Sequence, residues 1–297
     1  MTHVRESDLI LNADGSVFHL HLKPGDIADK IILVGDPGRV AQVSAMFSSV
    51  KLKVTNREFI THTGIYNGSE ISVISTGIGT DNIDIVMNEL DALINIDLNK
   101  RIPKSKVRSL SIIRIGTSGA LQEDISVGSF LISKKAIGFD GLLNYYKGLE
   151  NVSETPFEEA IISKIPWNTR FARPYVVPGD KDLLNLFKGP NTTEGYTISA
   201  PGFYAPQGRS LRLEIDFPDW NHSIEKFSFN NQKITNFEME SSAIYGLSKL
   251  MGHKALTICA IIANRINQEY LSSYKPVMND LISYTLDKLS EWKTIVK

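Results

Sequence analysis

Gln207 and Arg209 stand two residues apart in the Gly/Pro-marked stretch GFYAPQGR, residues 202–209, and their side chains suit the polar edge of a base. An amide offers two donors and an acceptor, whereas a guanidinium offers only donors in a planar fork. Together they match a ring whose carbonyls flank an N–H, and uracil is such a ring. A Q-x-R in a loop is also what an ordinary exposed turn looks like, so the rest of the chain has to decide.

Anion chemistry is the second signal. The run GDPGR, residues 35–39, joins glycines that let backbone N–H groups approach a ligand to an arginine just inside the next helix, although a strand-to-helix turn needs Gly and Pro for geometric reasons too. Arg57 precedes a strand. Arg114 lies near the end of the apolar run LSIIRIG, where burial is expected, and a buried arginine needs an anion. That anion is either a ligand cradled by the following GTSGA or an internal carboxylate such as Glu240. Glu238, Met239 and Glu240 fall at a strand-to-helix junction, where a carboxylate either caps the helix or accepts from vicinal hydroxyls; strand alternation puts the two glutamates on one side and Met239 on the other. His19 and His21, in a strand-like segment beside Phe18, read as structural groups when taken alone.

Bulk properties narrow the partner. With 297 residues, 42% of them hydrophobic, the chain can bury a large core, and a formal net charge of −1 argues against a surface built to neutralise nucleic-acid phosphates. No apolar run reaches the ~20 residues of a membrane span. The one cysteine, Cys259, sits inside TICAIIA; it excludes an intrachain disulfide, offers no zinc cluster, fits a reducing, cytoplasmic setting, and reads as core packing. The expected partners are therefore small molecules, with no nucleic acid, membrane or metal.

The elements that must position these residues alternate between strand and helix. Residues 31–34 read as a strand and 40–47 as a helix; 59–64 and 70–76 as a hairpin around Asn67-Gly68; 81–94 as an amphipathic helix; 110–115 and 127–133 as strands. Residues 234–237 and 255–263 read as strands, with a helix between them ended by Gly252, and a last helix carries Met278, Leu281, Ile282, Leu289 and Trp292 on one face. Residues 141–178 show no clear period and are expected to hold short excursions rather than core strands. These signals give a single α/β domain, residues 1–297, with a mixed central sheet flanked by helices.

The segments VFHLHL, VGDPGRV, NREFITHTG, STGIG, RIGTSGA, GFYAPQGR, FEMESSA and the ANR of IIANR occur in the order found in nucleoside phosphorylases of the uridine phosphorylase type. From about Val17 to Arg265 the chain resembles that family. The resemblance implies reversible phosphorolysis of uridine, with deoxyuridine or thymidine as related substrates, and inorganic phosphate as co-substrate without a cofactor. It implies that Gly35, Arg39, Arg57, Arg114 and Thr117 bind phosphate, and that His19, Phe203, Gln207, Arg209, Met239 and Glu240 bind nucleoside. Arg114, Gln207, Arg209 and Glu240 would carry catalysis, and Arg265 would support the base-binding arginine. It further implies a homodimer, or a larger assembly of dimers, in which His19 and Arg57 complete the neighbouring site.

Cleaving a glycosidic bond through an oxocarbenium-like ribose needs an anion held on one face and stabilisation of the departing base on the other, and no enzyme nucleophile. The purine branch of the family carries an Asp after the late strand; here that region reads CAIIANR, without it. Ala205-Pro206 and Asn82 depart from the family pattern. Asn82 stands, with Glu58 and Ile78, where relatives bind a monovalent cation between subunits, and no cation is assigned here. A purine nucleoside phosphorylase, a nucleosidase using water, and a catalytically silent nucleoside-binding subunit remain the alternatives.

Overall fold

The computed structural model describes residues 3–293. Eleven of its strands join in one mixed sheet: β1 (Lys30–Val34), β2 (Ser49–Asn56), β3 (Phe59–Tyr66), β4 (Ser69–Ser75), β5 (Ser111–Ala120), β6 (Phe130–Gly138), β7 (Tyr175–Pro178), β8 (Thr192–Ser199), β9 (Asn236–Glu238), β10 (Lys254–Asn264) and β11 (Glu269–Tyr270). Seven helices surround it: α1 (Pro37–Ser44), α2 (Thr80–Asn95), α3 (Thr155–Lys164), α4 (Lys181–Phe187), α5 (Trp220–Lys226), α6 (Ser241–Met251) and α7 (Lys275–Glu291).

Helices cover both faces because the central strands are apolar on both. Along β1, Ile31 and Leu33 pack with α2 and α6, whereas Ile32 and Val34 pack with α1, α4 and α7. A third cluster joins Phe157 and Ile161 of α3 and Trp220 and Ile224 of α5 to Ile137 and Ile198 of the sheet. This period-two division explains why the strand reads as a continuous apolar run.

The sheet runs β11-β10-β6-β8-β9-β5-β1-β4-β3-β2, with β7 paired to β6. Strand β10 also pairs with β5, in parallel, from Lys254 opposite Ser111 to Asn264 opposite Ala120. Five strands, β5, β9, β8, β6 and β10, therefore close into a ring. The expected mixed sheet is present, and this closure is an addition that no local pattern announces.

Several expected boundaries move for identifiable reasons. Helix α1 starts three residues earlier than its apolar pattern, because Asp36 caps it by accepting from Gly38 N at 2.8 Å and Pro37 occupies its first turn. Strand β6 begins at Phe130 and not Val127, since residues 126–129 form a turn closed by Ser129 N to Ser126 O at 3.3 Å. GTSGA is no loop after a strand but the second half of β5 itself. Within residues 141–178 lie two 3-10 turns and α3, as short elements, but also the buried strand β7 on the sheet. Gly252 ends α6 at φ +81°, a conformation that favours glycine.

Candidate active site

One cavity of about 810 Å³ gathers most of the predicted residues. Its walls come from the turn after β1 (Gly35, Arg39), strand β5 (Arg114, Gly116, Thr117), the β9–α6 junction (Met239, Glu240), the end of β10 (Ile262, Ala263) and the loop bearing Phe203, Gln207 and Arg209.

At one set of walls two arginines are buried together. Arg114 donates to Glu240 Oε2 through Nη2, in a very short contact, and its Nη1 lies 3.3 Å from Glu238 Oε2. Although burial opposes it, these two carboxylates hold the Arg114 charge in place and push its pKa up. Arg39 is also buried, yet its side chain makes one bond, Nη1 to Ile115 O at 3.3 Å, and no ion pair among the described residues. Burial and repulsion from Arg114 push its pKa down. An anion from outside the chain would stabilise an arginine in that position.

The internal-carboxylate reading of Arg114 is the one the contacts bear out, and the same residue also lines the cavity. The glutamates divide the work. Glu238 accepts from Glu240 N and Ser241 N at 3.0 Å and from Ser199 Oγ at 2.5 Å, so it caps α6. Glu240 instead takes Arg114 and, through Oε1, Gly79 N at 2.8 Å at the start of α2. Burial first, then the Glu238 carboxylate, raise its pKa against the pull of Arg114. The turn at Gly35 is less of an amide cradle than its glycines suggested, because Asp36 already uses Gly38 N and Arg39 N.

Gly116 was not singled out by sequence, and its role is close approach. The Arg114 side chain folds along the strand over Gly116, and a Cβ there would run into the guanidinium and meet Cys259 Sγ at 3.0 Å. Cys259 is buried core, as expected; burial pushes its thiol up to about 12, and Arg114 Nη1 lies 3.7 Å from its sulfur. Gly116→Ala should displace Arg114, with a strain of ~1–3 kcal/mol appearing as a roughly tenfold or greater rise in the phosphate KM; an unchanged KM in steady-state assays would remove this constraint.

Gln207, rather than Arg209, is held from behind by Arg265. Arg265 donates to Gln207 O at 2.6 Å and to Gln207 Oε1 at 3.1 Å, and Arg209 donates to the same Oε1 at 2.6 Å while lying 3.9 Å over the Phe203 ring. Both acceptor positions of the amide oxygen are therefore used, and Gln207 Nε2 and the remaining Arg209 N–H groups are the free donors. In this state the pair suits base carbonyls; accepting an N–H as well requires Arg209 to release Oε1. Burial, then Arg209, push Arg265 down to about 10.

Two predicted residues lie away from this cavity. Arg57, at φ +54° in the β2–β3 turn, is exposed, with its guanidinium 5.6 Å from the Phe18 ring centre. His19 is next to Phe18, and its Nδ1 and backbone N both bond Glu89 Oε1, at 2.7 and 2.9 Å. Glu89 was missed by sequence reasoning, although an acid on the apolar face of α2 was a readable signal. His21 adopts φ +55° and is not in the cavity. Glu58, Ile78 and Asn82 do line it. Among the described residues no group of three His, Cys, Asp or Glu could hold a metal ion, and no helix is long and apolar enough to cross a membrane.

The family model of the phosphorylase superfamily matches residues 29–280, which include every cavity wall above. The chain belongs to this superfamily. It is 30% identical over 279 residues to a uridine phosphorylase of Thermococcus kodakarensis, covering 94% of this chain and 88% of the relative. It is 26% identical over 276 residues to a DeoD-type purine nucleoside phosphorylase of Oceanobacillus iheyensis, covering 91% and 98%. A Trypanosoma brucei nucleoside phosphorylase, described as showing uridine phosphorylase activity, superposes with a TM-score of 0.84 at 26% identity, over 95% of this chain and 99% of that one.

Proposed function

We propose that this member of the superfamily is a uridine phosphorylase, converting uridine and phosphate reversibly to uracil and ribose 1-phosphate. The observation that carries the reading is one cavity holding a buried arginine without an internal anion, Arg39, and a Gln207–Arg209 donor pair. Arg39 and Arg114, with Gly35 and Thr117, fix phosphate; Glu240 and Met239 hold the ribose; Phe203 packs on the nucleoside; Gln207 and Arg209 stabilise charge developing on uracil. Ile262 and Ala263 line the cavity at the end of β10, where the purine branch has its acid, which favours a pyrimidine.

Arg57 and His19 act, in this reading, on a neighbour's site, so the active unit is a homodimer in the cytoplasm. Glu89 supports this, since by engaging Nδ1 it leaves His19 Nε2 for an outside group. Phosphate is the co-substrate, and no cofactor or cation is assigned.

The test is incubation of the purified protein with uridine, thymidine and inosine, each with and without phosphate, resolving base and sugar phosphate by chromatography. Phosphate-dependent uracil release is expected. Inosine cleavage would overturn the base assignment, release without phosphate would make the protein a nucleosidase, and no turnover would favour a silent binding subunit.

A further inference from the structure

A second cavity, of about 450 Å³, lies behind the turn that carries Gln207, sharing Ala205 and Pro206 with it. Its walls are mostly aromatic. Trp167 stands edge-on to Phe139 at 4.8 Å and tilted against Trp220 at 5.7 Å, and Phe171 stands edge-on to Phe217 at 5.1 Å and to Trp220 at 5.4 Å. Rings of this kind present π faces that attract cations.

The charges on the walls point the same way. Asp140 lines the cavity just past the end of β6 and makes no ion pair among the described residues. Its oxygens accept only neutral donors: Leu142 N at 2.8 Å, the Tyr175 hydroxyl at 2.7 and 2.8 Å, and Ser242 Oγ at 2.9 Å. Arg170 and Asp216 also line the space, 3.8 Å apart and both largely exposed, so their charges offset each other. What remains is one carboxylate with neutral donors and no cation, on a residue that lines the same cavity as the aromatic rings. Burial raises the Asp140 pKa, the expected response of a carboxylate that lacks a cation.

We propose that this cavity is a second ligand site, selective for a small organic cation with an apolar body, the cation facing Asp140 and the body packed among the Trp167, Phe171 and Trp220 rings. The site is distinct from the phosphorolysis cavity but touches the same turn: Trp220 Nε1 donates to Pro206 O at 3.2 Å and Asn221 Nδ2 to Gly208 O at 3.2 Å, on either side of Gln207. A ligand there rests against the back of that turn.

The purified protein is titrated at neutral pH with benzylammonium and, separately, with benzyl alcohol, following tryptophan fluorescence; Trp167 and Trp220 line the cavity, and neither probe reports on catalysis. Benzylammonium should quench saturably and bind about tenfold more tightly than the alcohol, and Asp140→Asn should abolish that preference. Because Asp140 also holds Tyr175 and Ser242, Phe171→Leu is the second variant, expected to weaken benzylammonium binding while leaving the carboxylate in place. Equal binding of the two probes, no saturable binding of either, or full retention of benzylammonium affinity in Phe171→Leu would overturn the proposal.

Discussion

Arg114→Met should leave the protein without measurable phosphorolysis and destabilise it by ~3–5 kcal/mol, the cost of stranding buried carboxylates that had shared one cation. Glu238 and Glu240 are both almost fully buried against Arg114, and no other cation pairs with either among the described residues. Stability would be read by chemical denaturation and activity by uracil release. Adding Glu240→Gln to that variant should recover part of the stability, by removing one stranded charge, but none of the activity. Such a split separates the structural work of Arg114 from its work on the anion. Turnover near that of the unmodified protein in Arg114→Met would exclude the arginine from the site.

The second large effect is at the base. Arg209→Ala should cost about two orders of magnitude in kcat for uridine, as loss of a donor aimed at developing charge typically costs ~3 kcal/mol. The fold should be little affected, because Arg209 is only half-buried and its side chain bonds only Phe203 O and Gln207 within its own loop. Arg265 gives the contrast. It is more buried, sits 5.0 Å from the Phe237 ring centre, and holds Gln207 without itself lining the cavity. Arg265→Met should therefore lower kcat/KM for uridine through a misplaced Gln207, with the phosphate KM unchanged. If Arg209→Ala keeps full kcat, the base-reading assignment fails whatever Arg265 does.

The legible part of the site was that in which residue type and local pattern agree. Arg114 announced its burial by standing in an unbroken apolar strand, and Gln207 and Arg209 announced a polar edge by sharing a short turn. Expected helices and strands appeared because α2 and α6 carry helical periodicity and β1 and β10 are continuous apolar runs. Strand β2 was omitted although Lys51 and Lys53 alternate with Leu52 and Val54, and that period-two signal was available.

The illegible part depends on partners far apart in sequence. Nothing near His19 names Glu89 as its partner, 70 residues away. Nothing in RIGTSGA says that Gly116 is small to admit the side chain two residues before it, a constraint that appears only when Cys259 on β10 packs alongside. The division between Glu238 as a cap and Glu240 as the Arg114 partner likewise rests on Gly79 and Ser199, which come from other elements.

The five-strand closure sets the order in which this protein can become competent. Its parallel seam joins Ser111 to Lys254, so all of the chain between these two residues must be synthesised before β5 has its β10 neighbour. Linking positions that distant carries a loop-closure entropy that short-range contacts do not, and folds rich in such pairings form slowly. Until β10 arrives, Arg114 lacks Cys259 at its side and β5 presents an unsatisfied backbone edge, the kind of surface to which other chains adhere. Chaperone demand during translation should accordingly concentrate on the interval after β5 has emerged and before β10 does.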